Sequence, residues 1–335
     1  MKTMKLGKTG IDISRIGLGT WSIGGGSAWG GDHNLQTVVD TIREAPRAGV
    51  NLIDTAPGYN FGNSEKILGK ALEGMNRKDV VIITKCGVTW DQEMKGDLFN
   101  VVNDIQLYKN LNSDSIKKEI KESLERMGIE YVDVYMTHWQ SVKGSKYYVP
   151  IEKTMDVLND LKAQGKIKAI GAANVDIHQI KEYVKYGELD IVQAKYSILD
   201  RGIEKEIIPC CKENRITLQA YSPLEMGLLS GMLPRDYKPV GAQIPKKWFQ
   251  PENMQAAMDM MDKWKPLCEK YKCTIANLAL AWVLSQGYFI NLLSGSTTVE
   301  QIKENVKSTE INLSDGDIKY MRQLAEEIDK MFVRI

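Results

Sequence analysis

The sequence runs to 335 residues, 43% hydrophobic and 26% charged, a composition that suits a globular chain able to bury a large core. Its 44 basic and 43 acidic residues leave a formal net charge of +1, which gives no electrostatic footprint for nucleic acid or a membrane surface and points to a small or neutral partner. No apolar run approaches the roughly 18 residues of a membrane span, the start MKTMKLGKTG lacks the apolar centre of a signal peptide, and five cysteines make an odd number, so reduced thiols and a cytoplasmic location are expected.

In chain order, MKLGKTG followed by IDIS reads as a small β-hairpin turned at Lys8 to Gly10, with Gly10 supplying the positive φ. Short apolar runs then alternate with segments of helical period. Ile16 to Gly19 is the first run, followed by the stripe Val38, Val39, Ile42 and Ala45 that stops at Gly49. Asn51 to Asp54 and Val80 to Lys85 come next, then a long connection from Cys86 to Asn112. Ser113 as N-cap and Asp114 in the first turn introduce the stripe Ile116, Ile120, Leu124 and Met127. Val132 to His138 is followed by Ile151, Met155, Leu158 and Leu161, closed by Gly165. The remaining runs are Ile167 to Asn174, Ile191 to Lys195, Thr217 to Ala220 and Ile290 to Ser294, with a second long connection, rich in proline and glycine, from Ser222 to about Pro251.

Eight nearly unbroken apolar strands interleaved with amphipathic helices predict an α/β fold of one domain, a closed (β/α)8 barrel of the TIM type. Both long connections follow strands, so both belong on the C-terminal face, where such barrels carry their sites.

Asp54, Lys85 and His138 end strands two, three and four, and Tyr59 lies five residues beyond Asp54 on a Pro-Gly turn. Singly, these are ordinary solvated, packing or capping residues; together they converge on one rim. A phenol is a poor acid at neutral pH unless a cation stabilises its anion, which Lys85 supplies, and Asp54 keeps that lysine charged. His138 donates a hydrogen bond to an oxygen gaining charge. The set offers a proton donor and a polarising pocket for a carbonyl, with no nucleophile–base pair. The hydride that must accompany the proton implies a nicotinamide cofactor.

In order and spacing, LGTW at 18–21, LIDTAPGY at 52–59, ITK at 83–85, YMTHW at 135–139, GKIKAIGAAN at 165–174, QAKYSIL at 193–199, YSPLEMGLLSG at 221–231 and SGSTTVEQIKEN at 294–305 resemble the aldo-keto reductases. The resemblance implies Asp54, Tyr59, Lys85 and His138 as catalytic tetrad, with Tyr59 the general acid in reduction and base in oxidation. It implies a nicotinamide stacked on Tyr221 and held by Asn174 and Gln193. Ser222, Leu224 and Gly227 match positions near the pyrophosphate, and Gly295, Ser296, Gln301 and Asn305 match the adenosine end. Gly19, Thr20 and Trp21 match a first loop beside cofactor and substrate. Trp139, next to His138, either lines the substrate pocket with Trp21 or packs.

Two features depart from the common pattern. Ala173 stands where many relatives have a serine, and SGSTTVEQ is uncharged at Gly295, Ser296, Thr297, Thr298 and Gln301, where NADPH-preferring members place Arg or Lys. A dianionic phosphate there would lack charge-assisted partners, so NAD(H) is the preferred cofactor and NADP(H) the secondary one. The pattern is most similar to bacterial NADH-dependent members acting on methylglyoxal and related small aldehydes; sugars and polyols are further candidate substrates. A cofactor-sensing regulatory subunit of the same fold is the alternative. GLGTWSIGGG at 17–26 misses the dinucleotide fingerprint, since Ser22 occupies the third glycine position and no helix opens there. Only His33, His138 and His178 are available, none in ligand spacing, so no metal is expected.

Overall fold

The computed structural model describes residues 3–332; the first two and last three residues of the expected 335-residue domain lie outside them. The chain begins with strands β1 (Thr3–Lys5), β2 (Asp12–Ser14) and β3 (Ile16–Gly19), then α1 (Leu35–Arg47), β4 (Leu52–Asp54), α2 (Asn63–Leu72) and β5 (Val81–Cys86). A small β6 (Val88–Thr89), β7 (Asp97–Val102) and β8 (Ile105–Lys109) precede α3 (Ser113–Met127), β9 (Val132–Thr137), α4 (Ile151–Ala163), β10 (Ile167–Ala173), α5 (Ile177–Tyr186) and β11 (Ile191–Lys195). The last third holds α6 (Ile207–Asn214), β12 (Thr217–Tyr221), α7 (Pro251–Asp262), α8 (Lys265–Tyr271), α9 (Ile275–Leu284), β13 (Ile290–Gly295), α10 (Val299–Lys307) and α11 (Asp315–Phe332).

Eight strands close into a parallel barrel in the order β10-β11-β12-β13-β3-β4-β5-β9. These are the runs read from the sequence, their ends shifted by a residue or so. Alternation along the strands divides the apolar residues between two cores. Ile53, Ile82, Tyr135, Ile170 and Val192 face the helices, whereas Leu52, Ile83, Val134, Met136 and Ile191 fill the barrel with Leu6 and Ile13 of the hairpin. The hairpin is therefore a plug, on the side opposite the strand ends that carry the polar residues.

The positive φ of that hairpin belongs to Gly7 (φ 50) and not, as expected, to Gly10. Gly7 lies so close to the β10–β11 connection that a Cβ would come within 2.4 Å of the Asp190 carbonyl oxygen, a contact the turn sequence could not reveal. The cap of α3 is Asn112, whose Oδ1 accepts from Ser115 N at 2.8 Å, and the expected cap, Ser113, is the first helical residue. Both types cap well, so the extended residue takes the role.

The 86–112 connection carries its own antiparallel sheet in the order β6-β8-β7. Its hairpin turns on Asn103 (φ 49) and Asp104 (φ 63), the two left-handed residues a tight two-residue turn requires. The second connection winds through short 3-10 turns at Glu225–Ser230, Gly241–Gln243 and Lys247–Phe249 before α7. Among the described residues no helix is long and apolar enough to cross a membrane.

Candidate active site

Asp54 ends β4, Lys85 sits next to the end of β5, and His138 follows β9 directly, on three adjacent strands. Asp54 and Lys85 are completely buried. The Lys85 ammonium donates to Asp54 Oδ1 at 2.7 Å, to the Thr55 carbonyl at 2.9 Å and to the Tyr59 hydroxyl at 3.0 Å, which uses all three of its hydrogens.

Tyr59 reaches this ammonium through a tight turn. Gly62 N donates to Pro57 O at 2.7 Å, and Asn60, Phe61 and Gly62 are consecutively left-handed with φ of 51, 52 and 80. Gly62 then starts α2 in a place where a Cβ would lie 2.7 Å from Arg126 Cδ. Thr20 braces the turn from behind: its buried hydroxyl donates to Asp54 O at 2.8 Å and shares a hydrogen bond with Ser64 at 2.6 Å. The Tyr59 ring meets His138 edge-on at 5.7 Å, and Trp21 lies 6.3 Å from Tyr59 with Trp29 edge-on to Trp21 at 5.1 Å.

Burial, then the Asp54 charge, pushes the Tyr59 phenol well above its ordinary range. The sequence-based expectation that Lys85 lowers it is thus outweighed in the resting site, where the phenol keeps its proton. Burial raises the Asp54 carboxyl and lowers the Lys85 ammonium, and their mutual contact opposes both shifts. Burial and then the Lys85 charge push His138 well below the usual value, so its ring is neutral at pH 7. His138 Nδ1 is buried without a partner among the described residues.

Asn174 and Gln193 converge on this group. Asn174, left-handed at φ 55, donates from Nδ2 to His138 O at 2.9 Å and accepts from the Tyr221 hydroxyl at 2.9 Å. Gln193 Nε2 donates to Asp54 Oδ2 at 2.8 Å. Beyond Tyr221 the backbone is left-handed at Ser222, Glu225, Met226 and Gly227, flanking Leu224; it is pinned by the Glu225 carboxylate, 2.9 Å from Lys195 Nζ. Gly19 pairs with Asp54 on one side and Gly295 on the other, which brings the end of β13 beside the rim. There Asn305 Nδ2 donates to Ser294 and Ser296 at 3.1 Å each, and Gln301 Oε1 accepts from Thr297 N at 2.7 Å. Trp139 packs at a tilt of 44° against Phe99 of β7, ring centroids 5.3 Å apart, and lies under Lys109 Nζ at 5.0 Å, so it joins the barrel to the small sheet. His178 is exposed at the start of α5.

Residues 15–326 match the model of the aldo/keto reductase family. The chain is 58% identical to the NADH-specific methylglyoxal reductase of Escherichia coli (strain K12) over 98% of its length and 100% of the relative's. It is 33% identical to the aldo-keto reductase YhdN of Bacillus subtilis (strain 168) over 97% of this chain and 94% of that one. Among solved structures, the glycerol dehydrogenase from Gluconobacter oxydans superposes with a TM-score of 0.84 at 30% identity, covering 96% of this chain and 94% of that one. The chain belongs to the aldo/keto reductase family. It is an oxidoreductase that moves a hydride between a nicotinamide cofactor and a carbonyl or hydroxyl compound.

Sequence reading missed several polar residues of the reductase. Gln219 and Asn291, inside strands that read as apolar, lie buried behind Gln193. Glu65 is also fully buried, accepting from Thr84 Oγ1 at 2.5 Å and from Arg126 Nε at 2.6 Å. Nothing in the sequence singled them out: Glu65 stands in the polar start of α2, NSEK, and Gln219 and Asn291 reveal their inward direction only once the strand register is known; once buried, each polar group requires a partner.

Proposed function

We propose that the reductase uses NADH to reduce small aldehydes and ketoaldehydes of the methylglyoxal kind, working in the cytoplasm as one barrel unit, with Asp54, Tyr59, Lys85 and His138 as its catalytic residues. The carrying observation is that one buried ammonium touches both the Tyr59 hydroxyl and the Asp54 carboxylate. As negative charge develops on the substrate oxygen, Tyr59 releases its proton to it. Lys85, 3.0 Å away, stabilises the phenolate left behind. Asp54 holds the lysine in its charged form, and neutral His138 orients the oxygen with a ring N–H. Run backwards, the phenolate removes the proton of an alcohol.

The residues fit a nicotinamide dinucleotide. Gln193 spends both amide hydrogens on Asp54 and Gln219, which leaves its carbonyl oxygen to accept from a carboxamide. Tyr221, Asn174 and Gln193 would hold the nicotinamide, which supplies the hydride. Ser222, Leu224 and Gly227 would hold the pyrophosphate; Gly295, Ser296, Thr297, Gln301 and Asn305 would hold the adenosine end, and Gly19, Thr20 and Trp21 the near wall.

NADH preference is supported by where the nearby cations are spent. Lys303 pairs with Glu44 at 3.1 Å and Lys307 with Glu304 at 2.7 Å. The identity to an NADH-specific relative supports the same cofactor and substrate class.

Tyr59→Phe tests the assignment. Turnover of methylglyoxal should fall by about 10²- to 10⁴-fold while NADH still quenches tryptophan fluorescence. Undiminished turnover would reject Tyr59 as the proton donor, and tighter binding of NADPH than of NADH in the parent would reject the cofactor reading.

A further inference from the structure

Gln193, Gln219 and Asn291 are register partners on the adjacent strands β11, β12 and β13, and all three are buried. Their amides form one directed chain. Asn291 Nδ2 donates to the Ser14 carbonyl at 2.8 Å, Gln219 Nε2 to Asn291 Oδ1 at 2.9 Å, and Gln193 Nε2 to Gln219 Oε1 at 2.6 Å. The second hydrogen of Gln193 Nε2 goes to Asp54 Oδ2 at 2.8 Å. A peptide carbonyl can only accept, and so can a carboxylate. The Ser14 carbonyl therefore fixes which way Asn291 points, Asn291 fixes Gln219, and Gln219 together with Asp54 fixes Gln193. Turning any one amide over would set donor against donor or acceptor against acceptor in the barrel interior.

We propose that Gln219 and Asn291 are positioning residues of the reductase: they hold the Gln193 amide so that it donates to Asp54 and turns its oxygen towards the nicotinamide carboxamide. The inference rests on the reading of Asp54 and Gln193 given above. The groups that face Asp54 are Lys85 from β5, Tyr59 from the turn after β4 and Gln193 from β11; Glu65 of α2 acts on Lys85, whose charge in turn acts on neutral His138 after β9. Lys85, Gln193 and Tyr59 each stabilise the carboxylate through a side-chain hydrogen bond. When the relay is cut, Gln193 loses one of the two acceptors that hold its amide, Asp54 loses a steady donor, and its carboxyl takes up a proton at higher pH.

The experiment compares Gln219→Met with Gln219→Glu. Methionine fills a similar volume and forms neither bond. In Gln219→Met, kcat should fall roughly ten- to a hundredfold, and the acid limb of its pH profile should rise by about one unit. The advantage of NADH over reduced 3-acetylpyridine adenine dinucleotide, which lacks the amide hydrogens, should narrow. A buried glutamic acid in its neutral form accepts from Gln193 with its carbonyl and donates to Asn291 with its O–H. Gln219→Glu should therefore approach the parent at low pH and lose activity as the new carboxyl ionises. Parental pH profile and analogue preference in Gln219→Met, with only a lower melting temperature, would overturn the proposal. If that variant does not fold, an activity ratio of Gln219→Glu to parent that is constant with pH overturns it instead. Tyr59→Phe serves as the control: full activity there refutes the site reading itself, whereas loss there beside parental Gln219 variants refutes the relay alone.

Discussion

His138 shows how strongly one side chain depends on its setting. Its ordinary value is 6.5, but burial first and the Lys85 charge second hold it well lower. Between those two values the unfolded chain binds a proton that the folded one does not, so stability is full above about pH 6.5 and declines as pH falls below it, by at most about 1.4 kcal/mol per unit from this group. Urea midpoints of the parent and of His138→Gln, taken from about pH 7.5 down to about pH 5, should show the steeper decline in the parent; parallel declines would contradict the depressed value. The four rim residues were legible in the sequence: Asp54, Lys85 and His138 because each is polar at the end of an apolar run, and Tyr59 because a Pro-Gly turn sets it five residues beyond Asp54. Gln219 and Asn291 were not, since an amide inside TLQAY or INLLS declares its inward direction only when the strand register is known.

Elements were legible where periodicity is strong. The eight barrel strands fall where their apolar runs stand, and α1, α3 and α4 follow their stripes. The small sheet of β6, β7 and β8 escaped because β7 is largely exposed and carries little apolar alternation; only the Asn-Asp pair at its turn marked it. At the start of α10, the Thr298 side chain caps Gln301 N, and Gln301 in turn accepts from Thr297 N at 2.7 Å. On the reading proposed for the adenosine end, uncharged side chains thus stand where a cation would read a 2′-phosphate. Thr297→Arg should improve the affinity for NADPH relative to NADH by roughly tenfold, read by calorimetric titration of both cofactors. An unchanged ratio would mean that the phosphate is accommodated elsewhere.

At the scale of the molecule, the barrel has an apolar end and a polar end. Leu6 and Ile13 of the β1–β2 hairpin fill the first, together with Leu52, Val81 and Val134, while Asp54, Lys85 and Gln193 crowd the second. Leu6→Ala should cost about 2 to 5 kcal/mol of unfolding free energy in denaturant titration, yet leave KM for the carbonyl substrate as in the parent, because the hairpin residue that the amide relay to Asp54 reaches is Ser14 and not Leu6. A changed KM with little loss of stability would show that the two ends are coupled.

Closing the ring also places a demand on synthesis. The strand that completes the barrel on one side of β3 is β13, so Ile16 and Leu18 find their partners Leu292 and Ser294 only near the end of the chain, and Arg15 waits for the carbonyls of Leu284, Gly287 and Ile290. Until then, a nascent chain carries β3 and β12 as open edges of an unfinished sheet, the kind of surface that recruits stray strands. Long-range pairing of this sort slows folding. Whatever protects those edges on the ribosome therefore matters to the yield of the enzyme, even though it plays no part in the chemistry.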